Sequence, residues 1–211
     1  GKADGISKST EEYSGFGLFV NPQAELTVLG SNKVPDYFHN QSNNIRESVW
    51  GRIRNCNDVI AGISGSSLTE EQKNELLGQA YFLRAWCYYS MVKWYGGVPI
   101  ISSYSSADEA KVERNTEQEV RDYIAKDLDE ALAGIAEAPE ARGYIAKGAV
   151  LAIKMREALY YGDWQKAKDA AKAIIDLKQY ELDPDYTNLF KVSGVDSKEI
   201  ILADQNIETL D

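Results

Sequence analysis

The pattern that most constrains this chain is a pair of helix-opening signals, each followed by an apolar stripe. Thr69-Glu70-Glu71-Gln72 has the form of a capping box, in which the Thr69 hydroxyl meets the Gln72 amide and the Gln72 side chain reaches back. Thr116-Glu117-Gln118-Glu119 repeats the arrangement. Behind the first box Leu76, Ala80, Leu83, Cys87, Met91 and Trp94 recur at steps of three and four, which predicts a helix. Phe82, Trp86, Tyr89 and Tyr95 widen its apolar surface beyond one stripe, so it should pack against neighbours on two sides. Gly96-Gly97 ends it and Pro99 prevents resumption. Behind the second box Val120, Ile124, Leu128, Ala131 and Ile135 form the stripe, and Glu137-Ala138-Pro139 breaks it.

The rest divides around this core. Residues 1–41 show no sustained period and read as an irregular segment with loop aromatics. From about Ser42, Ile45, Val49, Ile53 and Val59-Ile60 line one helical face, followed by a Gly- and Ser-rich turn. Residues 144–177 read as helix, Gly162-Asp163 turn, helix, with Ala149, Ala152, Ala158, Ala167, Ala170 and Ala171 at helical spacing. Small residues let two helices approach closely, and this is the length and logic of a tetratricopeptide unit. The helical repeat region is therefore taken as 42–179 and an extended tail as 180–211, with Glu199-Ile200-Ile201-Leu202 its best strand candidate. The expected class is mostly all-α, tetratricopeptide-like, with irregular loops.

Composition narrows the function. The chain has 211 residues and a net charge of −10, so it lacks the basic footprint of a general nucleic-acid binder. A single histidine, His39, and two cysteines, Cys56 and Cys87, exclude a multi-His metal site, a zinc cluster and a disulfide framework. No apolar run reaches the ~18 residues of a membrane span, and no signal peptide heads the sequence. With Gly at position 1 and no terminating signal after Leu210-Asp211, the sequence is expected to be a piece of a longer protein.

Five segments together resemble the SusD/RagB family. Leu77 to Ile100, LGQAYFLRAWCYYSMVKWYGGVPI, is similar to its alanine-rich helix with an internal Leu-Arg-Ala and an aromatic-Gly-x-Val-Pro exit. Arg114 to Val120 and Tyr123 to Ala131 are similar to its next helix, with Asp127 at the Asp of Asp-Leu. Arg142 to Ala149 resembles its Arg-x-Thr-Lys-x-Ala-Ala start, with Ile145 in place of Thr and Gly148 in place of Ala. Leu159 to Ala167 is similar to its Leu-Tyr-x-Gly-Asp-Trp turn. Tyr180 to Leu182, Tyr186 to Phe190 and Lys198 to Ile201 are similar to the segments that close this half of the fold. The resemblance runs from about Trp50 to Leu202.

The resemblance implies a surface lipoprotein of the Bacteroidetes outer membrane. Such a protein caps a SusC-like TonB-dependent transporter, binds oligosaccharide or polysaccharide for import, and has no catalytic activity or cofactor. It implies structural roles for Arg84, Gly96, Gly97, Pro99, Asp127, Gly162, Asp163 and Trp164. The lipidated N-terminal Cys and the C-terminal half of full members are not in this sequence. A tetratricopeptide scaffold that binds protein and never touches sugar is the alternative.

Sugars stack on aromatic faces, and amide or carboxylate side chains read their hydroxyls. The first loops have that composition, with Tyr13, Tyr37, Phe38, Asn40 and Asn43 as the candidate ligand residues and Phe16, Phe19, Asn32 and Asn44 beside them. Two readings stand for the aromatics: ligand platforms or plugs of the core. Tyr104 is a further loop aromatic. Trp50, Trp86, Trp94, Tyr81, Tyr88, Tyr89 and Trp164 are expected to be packing. Arg84, among apolar neighbours, is expected to pair with a carboxylate or helix-end carbonyls. Asp127, Asp129 and Glu130 are expected on or beside a solvated face, with no convergence of the kind a glycosidase needs. Cys56 and Cys87 read as inert packing thiols. His39 reads as a surface residue, and Asp183, Asp185 and Asp196 fit no EF-hand spacing.

Overall fold

Both capping boxes form. In the computed structural model, which describes residues 49–103, 112–138, 144–191 and 194–203, the Thr69 hydroxyl accepts from the Gln72 amide and the Thr69 amide donates to Gln72. Thr116 and Glu119 make the same reciprocal pair. Each box satisfies two N–H groups that the first helical turn cannot. The helices are α1 (Val49–Gly62), α2 (Glu70–Tyr95), α3 (Glu117–Gly134), α4 (Lys147–Tyr160) and α5 (Trp164–Asp176). One-turn 3-10 segments follow α1 at Ile63–Gly65 and α5 at Tyr186–Phe190. The fold is all-α across the described residues.

The core is built around α2. Phe82, Ala85, Tyr88, Met91 and Val92 are buried together with Val49 and Ile53 of α1 and Val120, Ile124, Leu128 and Ala131 of α3. As expected of a helix apolar on more than one side, α2 is sandwiched between α1 and α3. The α2–α3 crossing is close because Gly78 and Gly134 face one another. A Cβ on Gly134 would lie 2.3 Å from the Asn74 carbonyl oxygen, and one on Gly78 would lie 2.6 Å from Ile135 Cγ1. The connector between α3 and α4 is stapled to α2. Gln79 accepts from the Ile145 amide and donates to its carbonyl, and Glu75 accepts from the Ala136 amide.

The α4–α5 hairpin follows the small-residue logic, with Ala149, Ala158, Ala167 and Ala170 all buried. Its turn is a Schellman motif. Asp163 N–H bonds to the Ala158 carbonyl, Gly162 N–H to the Leu159 carbonyl, and Gly162 takes the left-handed conformation at φ 77°. Gly148, which stands where the family pattern has Ala, leaves room for Tyr180. A Cβ there would meet the Tyr180 hydroxyl at 2.1 Å and its ring at 2.4 Å. Gly148→Ala should cost about 1–3 kcal/mol by overpacking. The double variant Gly148→Ala/Tyr180→Ala should cost less than the sum of the singles, read by urea denaturation. Additive losses would mean that the two residues do not meet.

Several expectations are corrected. The strand at Glu199–Leu202 does not form; Ser197 to Ile200 turn tightly, with Ile200 N–H bonded to the Ser197 carbonyl. The α1 stripe is Val49, Ile53, Cys56 and Asn57, while Val59 falls off that face and is exposed. On α2, Leu76 and Leu83 point outward although both sit at helical spacing with Ala80 and Cys87. The helix has three populated faces, and a step of three or four identifies only that two residues share one. Trp86 and Trp164 were expected as packing but are exposed.

Candidate functional site

A buried polar network among the described residues begins at Arg84. The side chain enters from α2 and is buried, as is Asp127 of α3 at 1% exposure, which corrects the solvated-face expectation for that carboxylate. Nε and Nη2 donate to the two Asp127 oxygens, each at 2.8 Å, and Nη1 donates to Asn57 Oδ1 of α1 at 2.7 Å. The guanidinium lies over the Tyr123 ring at 5.0 Å and the Tyr81 ring at 5.3 Å. A buried charge is tolerable only when it is paired and its other hydrogens are satisfied. Here the bidentate carboxylate, the amide oxygen and two aromatic faces do both. Burial pushes the Asp127 carboxyl up from its ordinary value, and the two Arg84 hydrogen bonds oppose that shift.

This network reaches beyond the three helices. Asn57 Nδ2 donates to the Ile101 carbonyl at 2.8 Å, and Ile101 N–H donates to the Tyr88 hydroxyl at 2.9 Å. Both main-chain groups of Ile101 are therefore held by side chains of α1 and α2. The exit from α2 is pinned from its other side by the lead into α3. Gly96 ends α2 at φ 65° and ψ −136°, a backbone region that essentially only Gly occupies. Arg114 donates to the carbonyls of Tyr95 and Gly97. Asn115 N–H reaches the Val98 carbonyl, and Asn115 Oδ1 accepts from Ile100 N–H. Gly96-Gly97-Val98-Pro99 and Arg114-Asn115 are thus held against one another on either side of the segment that carries Tyr104. Tyr104 itself lies outside the described residues.

A second cluster surrounds the α4–α5 turn. Arg121 of α3 donates to Glu157 at 2.7 Å, approaches Asp163 at 3.8 Å, and sits 3.7 Å over the Tyr161 ring. Tyr161 meets Tyr160 edge to face at 5.0 Å. Lys166 bonds Asp163 at 2.9 Å and holds its carboxyl below the ordinary value. A cavity of about 410 Å³ opens between α3, α4 and α5, floored by Leu128, Leu132, Leu151 and Ala170. The Lys154–Asp129 ion pair lies at its edge.

The cysteines are buried, and burial pushes Cys56 to about 11 and Cys87 to about 12. A thiol in an unfolded chain titrates near about 8.5. The folded state therefore keeps protons that the unfolded state loses, and the two thiols contribute stability that is fully present below pH about 8.5. That contribution is lost as pH rises toward 11 to 12. Thiol titration at pH 8 should find both unreactive in the folded protein and both reactive in urea. Rapid labelling without urea would contradict their burial.

Among the described residues no group of three or more His, Cys, Asp or Glu could hold a metal ion. No described helix is long and apolar enough to cross a membrane. The candidate ligand residues Tyr13, Tyr37, Phe38, Asn40 and Asn43 lie outside the described residues, as does His39. Pro99 is half-buried in the clamped exit. Asp185 caps the Tyr186–Phe190 segment by accepting from Thr187 N–H, and Asp183 accepts from Asp185 N–H. Sequence reasoning missed Asn57, whose signal was an amide on the buried face of α1, and Asn115, which precedes the second capping box.

A SusD-like family model described as "Starch-binding associating with outer membrane" matches residues 20–156. The SusD-like protein P2 of Formosa agariphila is 28% identical over 202 residues, covering 87% of this chain and 40% of the relative. A SusD-like protein of Bacteroides fragilis superposes with a TM-score of 0.71 at 29% identity, over 77% of this chain and 33% of that one. A SusD-like carbohydrate binding protein of Bacteroides vulgatus superposes with a TM-score of 0.65 at 27% identity, over 73% and 35%. The chain thus spans well under half the length of these relatives. The family match takes in more than half of the chain, including the Arg84–Asp127 network and the clamped helix exit, and the protein belongs to the SusD-like family.

Proposed function

We propose that this protein captures glycan at the cell surface and hands it, uncut, to a SusC-like TonB-dependent transporter of the outer membrane. The observation that carries the reading is the match to a starch-binding, outer-membrane-associating family over the segment that holds the buried network. On this reading the protein is a surface lipoprotein. Residues 42–179 are the supporting repeat, residues 180–211 lead toward a further part of the fold, and residues 1–41 carry ligand contacts. Tyr13, Tyr37 and Phe38 would offer faces to sugar rings, and Asn40 and Asn43 would read hydroxyls. Non-catalytic capture is the reading that goes with a family described as starch-binding. A protein-binding scaffold is the less favoured reading, because the matched family is a starch-binding one.

Affinity electrophoresis of the full chain in gels containing soluble starch, xylan or a β-glucan tests this. Retardation in at least one gel is expected, weakened by Tyr37→Ala. Free migration in all three would overturn the glycan reading.

A further inference from the structure

We propose that the outward face of α2, marked by Leu76, Leu83 and Trp86, is the seat of this chain's own segment Leu26-Thr27-Val28-Leu29, and so anchors the loop that follows it. The three side chains are 40%, 48% and 38% exposed and lie outside the buried core cluster. They are not scattered. Leu76, Gln79, Leu83, Trp86 and Ser90 follow one another at steps of three and four, which places them along one face of the helix. None of the five is charged, although 27% of the chain is. A helix face meant for water normally carries charge, as the outward side of α5 does with Lys168, Lys172 and Asp176. The face of α2 is also firm. Trp86 meets Phe82 of the core at 6.0 Å, and Gln79 is bonded to Ile145. A firm, uncharged apolar face is a docking surface.

The occupant follows from what joins the fold beside it. Residues 1–48 lie outside the described residues and enter at Val49, which is buried in the cluster that α1 shares with α2. The family match starts at residue 20, so residues 20–48 share one pattern with α1 to α4. Leu26, Val28 and Leu29 are an uncharged apolar group in that stretch, and the following residues to Asn32 are uncharged as well. Residues 30–48 reach up to about 60 Å when extended. That exceeds the length of α2, whose 26 residues span about 39 Å. A tethered segment also competes at a high effective concentration, which a free partner does not. Seating Leu26 to Leu29 on α2 fixes the loop carrying Tyr37, Phe38, Asn40 and Asn43 at both ends, here and at Val49. A loop fixed twice has less ordering left to lose when it binds. This consequence for glycan rests on the reading above, in which residues 1–41 carry ligand contacts.

Hydrogen exchange of the full chain, read by mass spectrometry, tests the docking. The variants are Leu83→Ser and Leu76→Ser, with Ile175→Ser on the exposed side of α5 as control. Circular dichroism and the protection of α3 confirm that the helices stay folded. Peptides covering Leu26 to Leu29 should be protected in the wild type and exchange roughly tenfold faster in Leu83→Ser. Leu76→Ser should act in the same direction, Ile175→Ser should have no effect, and Leu83→Met should keep the protection. Unprotected exchange over residues 20–48 in the wild type would overturn the proposal. So would equal protection in the wild type and both Ser variants of α2. A wild-type mass of two copies in light scattering, reduced to one by Leu83→Ser, would give the face to a second copy and overturn it too. Affinity electrophoresis separates the two readings. Leu83→Ser should weaken any retardation as Tyr37→Ala does, and unchanged retardation would overturn the anchoring of the ligand loop. Free migration of the wild type in every gel would overturn the glycan reading, while exchange still decides the docking.

Discussion

Asp127→Ala should destabilise the fold by about 3–5 kcal/mol, because it leaves the Arg84 guanidinium buried with no counter-charge. The lost bonds are the two 2.8 Å contacts between α2 and α3. In a chain of this size the midpoint of thermal unfolding should fall by about 6–20 °C. The expected partner result is a recovery. Replacing both residues, as Arg84→Met/Asp127→Leu, removes the uncompensated charge, and buried ion pairs exchanged for apolar residues of similar volume are often near neutral. Recovery should stop short of wild type, because Asn57 Oδ1 then loses its donor, a cost of about 1–3 kcal/mol. Urea unfolding of the three proteins decides the matter. A loss below about 1 kcal/mol for Asp127→Ala would put the pair among solvent-screened surface bridges.

Gly97→Ala is the second large effect. A Cβ on Gly97 would sit 1.9 Å from the Asn115 carbonyl oxygen and 2.9 Å from Thr116 C. The obstacle is main chain, so no rotamer change relieves it. About 1–3 kcal/mol of overpacking is expected, and it falls on the clamp between the end of α2 and the start of α3. The second capping box starts at Thr116, so the variant should also loosen the first turn of α3. Hydrogen exchange should show faster exchange at Val120 N–H, whose acceptor is the Thr116 carbonyl, than at Leu128 in mid-helix. Equal protection in variant and wild type would show that the two segments of the clamp slide apart without cost. Gly96→Ala is a useful contrast, since among the described residues the nearest atom to its Cβ position, chain neighbours aside, is Glu117 Oε2 at 3.8 Å, and its cost arises from the φ 65°, ψ −136° backbone.

The parts legible in the sequence were those governed by local rules. Thr69-Glu70-Glu71-Gln72 and Thr116-Glu117-Gln118-Glu119 encode their own hydrogen bonds within four residues, and both formed as read. Gly162 encodes its turn because few other residues take φ 77° without strain. Val120, Ile124, Leu128 and Ala131 encode one buried face by spacing, and all four are buried. The order of the family segments followed from the same strings.

What spacing cannot carry is the identity of the partner across a contact. Asp127 sits one residue before Leu128 on a helix otherwise rich in exposed acids, and only the approach of Arg84 from α2 makes it a buried residue. Leu83 and Phe82 are adjacent in sequence, yet one is exposed and the other buried, because among the described residues α1 and α3 cover two faces of α2 and Leu83 lies on neither. Trp164 follows the turn that the sequence predicted, but its exposure depends on how α5 lies against α4. Helix existence, caps and turns are determined by neighbours along the chain, through bonds that close within one turn. Burial, ion pairing and the exposure of an aromatic face are determined by neighbours in space, and here those came together only when α1, α3 and the clamped exit closed around α2.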